Sequence, residues 1–188
     1  MTARWRPLAA WLALAHAIAL YAAPALAQPM PARGTVEALF TPWDDAEGAI
    51  VRLLGAARAS VQVQAYLLTS RPVTDALLAA HARGVKVELL ADAENVRRGN
   101  GRQVARLASA GVPVWLETRY AAAHNKLLLV DVASANPAVA TGSYNFTYSA
   151  QARNAENLLI LRGDAALARR YHDNWLRHRG EATAWTGN

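Results

Sequence analysis

Between Ser60 and Glu117 the chain repeats one cycle: a short run of apolar and β-branched residues, about ten residues of helical pattern, then a glycine that ends the helix. Ser60–Leu67 (SVQVQAYL) alternates, with Val61, Val63 and Ala65 on one side and Gln62, Gln64 and Tyr66 on the other, which reads as a strand. Val73–Ala82 is then a helix stopped by Gly84, and Val85–Ala91 the next strand. Asn95–Arg102 is an arginine-bearing loop, Gln103–Ala110 a helix stopped by Gly111, and Val112–Glu117 a further strand. Upstream, Thr35–Phe40 is a short strand, and Asp44 or Asp45 caps a helix running to Ala57 with Ile50, Leu53, Leu54 and Ala57 on one stripe. Strands alternating with short helices predict an α/β fold, a layered α/β/α sandwich on a mixed β-sheet. With 188 residues and no internal repeat, the chain has room for one such domain.

Residues 1–27 stand apart from this pattern. Arg4 and Arg6 precede an apolar run, Leu8–Ala23, interrupted only by His16, and Ala25-Leu26-Ala27 forms an A-x-A site before Gln28. The run of 16 residues is shorter than a spanning helix requires. The expectation is a secretory signal peptide over 1–27, a single catalytic domain over 28–188, a periplasmic or secreted location, and no stable membrane insertion after cleavage. A zero cysteine count excludes disulfide scaffolds, thiol nucleophiles and Cys-ligated zinc. The net charge of +6 comes almost wholly from Arg, since Lys86 and Lys126 are the 2 lysines; it gives weak support for an anionic partner.

After Tyr120 the pattern changes. Asn125–Val132 is an apolar run, Ala133–Pro137 carries turn residues and Val139–Thr141 returns, which predicts a β-hairpin. Asn157–Leu161 is a strand, and Asp164 to about Arg179 a final helix with Leu167, Tyr171 and Trp175 as its core face.

The hairpin carries the chemistry. His124, Lys126 and Asp131 form H-x-K-x4-D, and Gly142-Ser143-Tyr144-Asn145 follows. Strand period puts His124 and Lys126 on one face and Asn125 and Asp131 on the other, so Asp131 reads as a support. A turn near Ala135 sets residues 124 and 126 opposite residues near 146 and 144, bringing Ser143 and Asn145 beside the imidazole and ammonium. An imidazole, a fixed cation, a hydroxyl and a carboxamide at one sheet edge suit a tetrahedral phosphate whose transition state spreads negative charge. Glu156 is placed to hold an imidazole nitrogen and fix its tautomer.

These residues resemble the phospholipase D superfamily, most closely its small, single-motif bacterial periplasmic endonucleases. The resemblance covers Val36 to Arg179, including the Gly142–Thr147 run and Glu156-Asn157. It implies a phospholipase D-like fold, in-line attack by a histidine on a phosphodiester, a phosphohistidine intermediate, and neither metal nor other cofactor. It also implies roles: His124 as nucleophile or general acid, Lys126 and Asn145 on phosphate oxygens, Ser143 lining the phosphate site, Glu156 orienting the histidine, and Asp131 and Gly142 supporting the motif. The chain departs from the family in having 10 residues between Asp131 and Gly142. The usual number is about six, and an even insertion preserves which side chains face the site.

In-line chemistry needs a nucleophile and a proton donor on opposite sides of phosphorus, and one imidazole cannot serve both. Two-motif relatives supply both from one chain; with a single motif here, a homodimer with a shared active site is expected. The expected function is a nonspecific, metal-independent endonuclease on DNA and RNA. The alternative is a phospholipase D acting on phospholipid headgroups, which calls for an exposed apolar rim that no segment of the mature chain supplies. An inactive dimeric nucleic-acid-binding module is the third reading. Arg97, Arg98 and Arg102 are candidate nucleic-acid contacts, with a solvated loop as the plainer explanation. The signal reading predicts that exported protein begins at Gln28; intact-mass analysis checks it, and a retained N-terminus on membrane-associated protein contradicts it.

Overall fold

The computed structural model describes residues 28–187, so the signal-segment expectation lies outside the described residues. The strands are β1 (Thr35–Thr41), β2 (Ser60–Ala65), β3 (Lys86–Asp92), β4 (Val114–Glu117), β5 (Lys126–Val130), β6 (Ala138–Gly142), β7 (Glu156–Arg162) and β8 (Thr183–Trp185). The helices are α1 (Ala46–Ala56), α2 (Arg71–Ala82), α3 (Ala93–Asn95), α4 (Arg102–Ser109), α5 (Tyr148–Ala152) and α6 (Ala165–Glu181), with a π turn at Val96–Asn100. One 8-stranded sheet runs β1-β7-β6-β5-β2-β3-β4-β8. The β2-β3-β4 segment is parallel because α2 and α4 make its crossovers, and every other pairing is antiparallel.

Strand alternation divides the core between two faces. Val61, Val63, Leu128, Val130, Leu158 and Ile160 pack with α1, α2, α4 and α5 on one face. Leu90, Leu127, Leu129 and Val139 pack against α6 on the other. This is the expected α/β/α sandwich on a mixed sheet. The α6 layer is thinner and partly polar: Trp175 donates from Nε1 to the Val63 carbonyl at 3.0 Å, and Arg179 and His178 reach the buried Glu88 and Glu117 at 3.0 and 2.6 Å. Burying these carboxylates requires such partners. Beyond α6, the same sheet face stays open at β1 and β7, leaving Val36, Phe40 and Leu159 exposed. No helix among the described residues is long and apolar enough to cross a membrane.

Several boundaries differ from expectation. The hairpin forms, but Leu127 pairs with Thr141 and Leu128 with Ala140, two residues short of the expected register; the shift is even and keeps every side chain on its expected face. The turn tightens because Ser134 donates its N–H to the Asp131 carbonyl. The arginine-bearing loop is a π turn in which Gly99 adopts φ 93°. In α6 the buried residues are Ala168 and Trp175; Tyr171 packs at the margin, and Leu167 is half-buried rather than core. The short α5 and β8 have no periodicity long enough to announce them.

Asp131 lies at the end of β5 remote from His124, in the left-handed region at φ 51°, which Asp tolerates better than most residues. Its carboxylate accepts the backbone N–H groups of Arg58, Ala59 and Ser60 at 2.9, 2.7 and 2.9 Å, tying the start of β2 to the end of β5. Partial burial works to raise its pKa, but the three amide donors outweigh it and hold the carboxyl below its ordinary value. A depressed carboxylate contributes stability that is complete above about pH 4, the unfolded value, and is lost as pH falls through the lower folded value. Asp131→Ala is expected to lower unfolding free energy by about 1–3 kcal/mol at pH 7 and to flatten the acid limb of the stability curve; urea titrations between pH 2 and 7 check this. Equal stability of both proteins throughout contradicts it.

Candidate active site

Lys126 opens β5 and pairs in register with Ala65 of β2. His124 precedes the strand in an extended loop and is exposed, whereas Lys126 is only 5% exposed. Three contacts hold this loop. Tyr66 donates its N–H to the Asn125 carbonyl at 3.0 Å, Lys126 Nζ donates to the His124 carbonyl at 2.7 Å, and the buried Asp92 accepts the Ala123 N–H at 2.9 Å. The other Asp92 oxygen caps α3 through the Asn95 N–H at 2.8 Å. One carboxylate thus fixes both the end of β3 and the approach to His124.

The ammonium of Lys126 lies 2.8 Å from His124 Nδ1 and 3.3 Å from Nε2. Tyr66 packs on both: its ring centroid is 4.3 Å from the imidazole's and 4.9 Å from Nζ. Burial pushes the Lys126 pKa below the ordinary lysine value, and the negative charge of Glu156 partly restores it. An ammonium offers only donors, so Lys126 contacts the imidazole at a bare ring nitrogen. A nucleophilic imidazole needs Nε2 bare with its proton on Nδ1 facing an acceptor, whereas a general acid needs both nitrogens protonated.

The second segment enters from β6. A Cβ on Gly142 would lie 2.2 Å from the Asn157 carbonyl oxygen, so only glycine lets β6 approach β7 this closely. Exposed Ser143 accepts at Oγ from the Asn157 backbone N–H at 3.0 Å. Tyr144 and Phe146 are buried anchors, with the Phe146 N–H on the Leu67 carbonyl, and between them Asn145 is half-buried. Its Oδ1 is buried with no partner among the described residues, so the carboxamide is not committed to the fold. Glu156 begins β7, accepts from Asn154 Nδ2 at 2.9 Å and acts electrostatically on Lys126. Within one chain the described neighbours of the imidazole are Lys126 and Tyr66, and Glu156 is not hydrogen-bonded to it.

Arg97 and Arg98 both pair with Glu94, at 2.7 and 2.8 Å, and Arg102 is exposed. Tyr66 and Asp92 were not singled out in the sequence; both reach the site through contacts between distant segments, which leave no local signature. The exposed aromatics Phe40, Trp43 and Tyr148 come from separate segments, and no single stretch is apolar. Among the described residues no group of three or more His, Asp or Glu is arranged to hold a metal.

Lys126 therefore places a desolvated cation over the Tyr66 ring and against the imidazole. Lys126→Met, which keeps the stem, is expected to lower kcat for phosphodiester cleavage by about 10²–10³ with a near-native melting temperature. Lys126→Arg is not expected to rescue it, because a planar guanidinium does not fit the ammonium's place. Recovery of most activity by Arg contradicts this geometry.

A family model described as cardiolipin synthase, PLD-like domain, matches residues 50–178. A curated relative, phospholipase D from Rickettsia prowazekii, is 36% identical over 152 residues, spanning 81% of this chain and 71% of that protein. Mitochondrial cardiolipin hydrolase from Xenopus laevis is 34% identical over 128 residues, 68% of this chain and 58% of that protein. Among solved structures, the phospholipase D family member Nuc from Salmonella typhimurium superposes with a TM-score of 0.76 at 26% identity, covering 81% of this chain and 99% of that one.

Proposed function

The chain belongs to the phospholipase D superfamily and is a phosphodiester hydrolase, and from that premise we propose that it is a nonspecific, metal-independent endonuclease acting through a phosphohistidine on His124. The observation that carries the chemistry is the 2.8 Å contact between Lys126 Nζ and Nδ1 of an exposed imidazole. In the proposed reaction His124 Nε2 attacks phosphorus, the P–N bond forms, and the opposite P–O bond breaks. Lys126 and the Asn145 carboxamide neutralise charge on the nonbridging oxygens, with Ser143 at the edge of that cradle. The leaving oxygen takes a proton from a second imidazole, which then accepts one from the water that attacks phosphorus and breaks the P–N bond.

The second imidazole is His124 of another copy. Nucleophile and proton donor are the neutral and the protonated state of one residue and do not coexist on one imidazole. A twofold dimer that brings two His124 side chains to one phosphate resolves this, with Glu156 the acceptor that favours the nucleophilic form. The uncovered sheet face at Val36, Phe40 and Leu159, adjoining Asn157, offers apolar surface for such an interface. An export signal over residues 1–27 would place the enzyme in the periplasm or outside the cell.

A phospholipid substrate is the second reading. It is supported by the relatives named phospholipase D and cardiolipin hydrolase and by the exposed aromatics near the site. Beyond residues 1–27, 18 Lys and Arg against 14 Asp and Glu leave a net charge of +4, and with an exposed histidine this favours a polymer held by its phosphate backbone. Parallel turnover assays on plasmid DNA, RNA and phosphatidylcholine vesicles in EDTA test both. Cleavage of nucleic acid in EDTA is expected. Loss of activity in EDTA restored by a divalent ion, or turnover of phosphatidylcholine alone, overturns the assignment.

A further inference from the structure

Trp43 is 83% exposed, more than any other large apolar side chain described, yet it sits on a tightly held turn. The Asp44 N–H reaches the Phe40 carbonyl at 2.9 Å, Asp44 Oδ2 accepts the Phe40 N–H at 2.8 Å, and Gln151 Nε2 donates to the Asp44 carbonyl at 2.9 Å. Gln151 belongs to α5, and its Oε1 accepts the Glu47 N–H at 3.0 Å, so the turn and α5 form one surface. Tyr148, three residues before Gln151, shares that face of α5 and is 66% exposed, with the Arg153 guanidinium 5.6 Å from its ring centroid.

Both residues are tied through the backbone to the segments that carry Asn145 and Glu156. The Thr147 N–H lies 2.8 Å from the Asn145 carbonyl, so Tyr148 follows directly from that segment. Thr41, just before the turn, stands opposite Glu156 in the β1–β7 register and donates its hydroxyl to the Ala150 carbonyl at 2.7 Å.

We propose that Trp43 and Tyr148 form a base-stacking platform that makes this site prefer single-stranded polynucleotide over duplex. The inference rests on the endonuclease reading and deepens it. Charge separates the occupants: Asp44 and Asp45 follow Trp43 directly in the chain, whereas the Lys126 ammonium lies against His124 and the Arg153 guanidinium stands over the Tyr148 ring. Carboxylates beside a stacking ring accept hydrogen bonds from exocyclic base amines and repel phosphate, so the base turns to Trp43 and its phosphate to Lys126. A duplex hides its base faces and would bring its second phosphate rail onto the acidic turn. An anionic bilayer meets the same repulsion.

The test compares kcat/KM for a single-stranded oligonucleotide, the same sequence annealed as a duplex, and bis(p-nitrophenyl) phosphate. Trp43→Ala is expected to lower the single-strand value about tenfold relative to the small diester, mainly through KM, and to erode the preference over duplex; Tyr148→Ala acts in the same direction and Trp43→Phe retains most of the preference. An unchanged single-strand to diester ratio in Trp43→Ala overturns the platform while leaving the endonuclease reading intact. Loss of co-sedimentation with phosphatidylglycerol vesicles in that variant would make the ring a lipid contact, and conversion of a dimer to monomers would make it a subunit contact; either overturns the proposal. Wild-type enzyme that cleaves phosphatidylcholine but no nucleic acid defeats the endonuclease reading itself.

Discussion

Strand β5 is hydrogen-bonded along both edges and buried on both faces, and the site depends on its staying in register. Leu127 and Leu129 fill the α6 side while Leu128 and Val130 fill the other, so a slip of one residue would exchange the two cores. Lys126 and the four residues between it and Asp131 are this strand. Their count measures a buried span of about 17 Å with a chemical end at Lys126 and a structural end at Asp131. Asp131 pins the structural end by binding three consecutive amides at the start of β2, and β2 then delivers Tyr66 to the chemical end.

Electrostatics at the chemical end follow from the same burial. Lys126 is carried into the sheet by its strand, loses water, and depends on Glu156, the His124 carbonyl and the Tyr66 ring for compensation. A partly desolvated cation beside an exposed imidazole is poised for an anion that restores its charge balance. The neighbouring segment supports this: Gly142 permits close approach, Tyr144 and Phe146 anchor, and the Asn145 carboxamide is left uncommitted.

Much of the fold was legible because it rests on local patterns. Asp45 caps α1, and Gly84 and Gly111 end helices at positive φ, all short-range chemistry; the Ser70 cap that starts the next helix at Arg71 rather than Val73 went unread. The juxtaposition of His124 and Lys126 was legible for the same reason, and the two-residue error in hairpin register did no harm because strand faces repeat every two residues. What escaped was nonlocal. Asp92 reaches Ala123 from β3, Tyr66 reaches His124 from the end of β2, and the turn of Trp43 is joined to the helix of Tyr148 through Gln151. Arg97 and Arg98 read as nucleic-acid contacts or a solvated loop, and their pairing with Glu94 shows only in the structure.

Each chain brings one His124 imidazole, and the proposed reaction needs two. The most direct test mixes wild type with His124→Ala under subunit exchange and follows phosphodiester turnover at constant total protein. A composite site requires activity to fall as the square of the wild-type fraction, because a hybrid dimer holds a single imidazole. A linear fall, or full activity in a species that sediments as a monomer at assay concentration, would contradict the shared site.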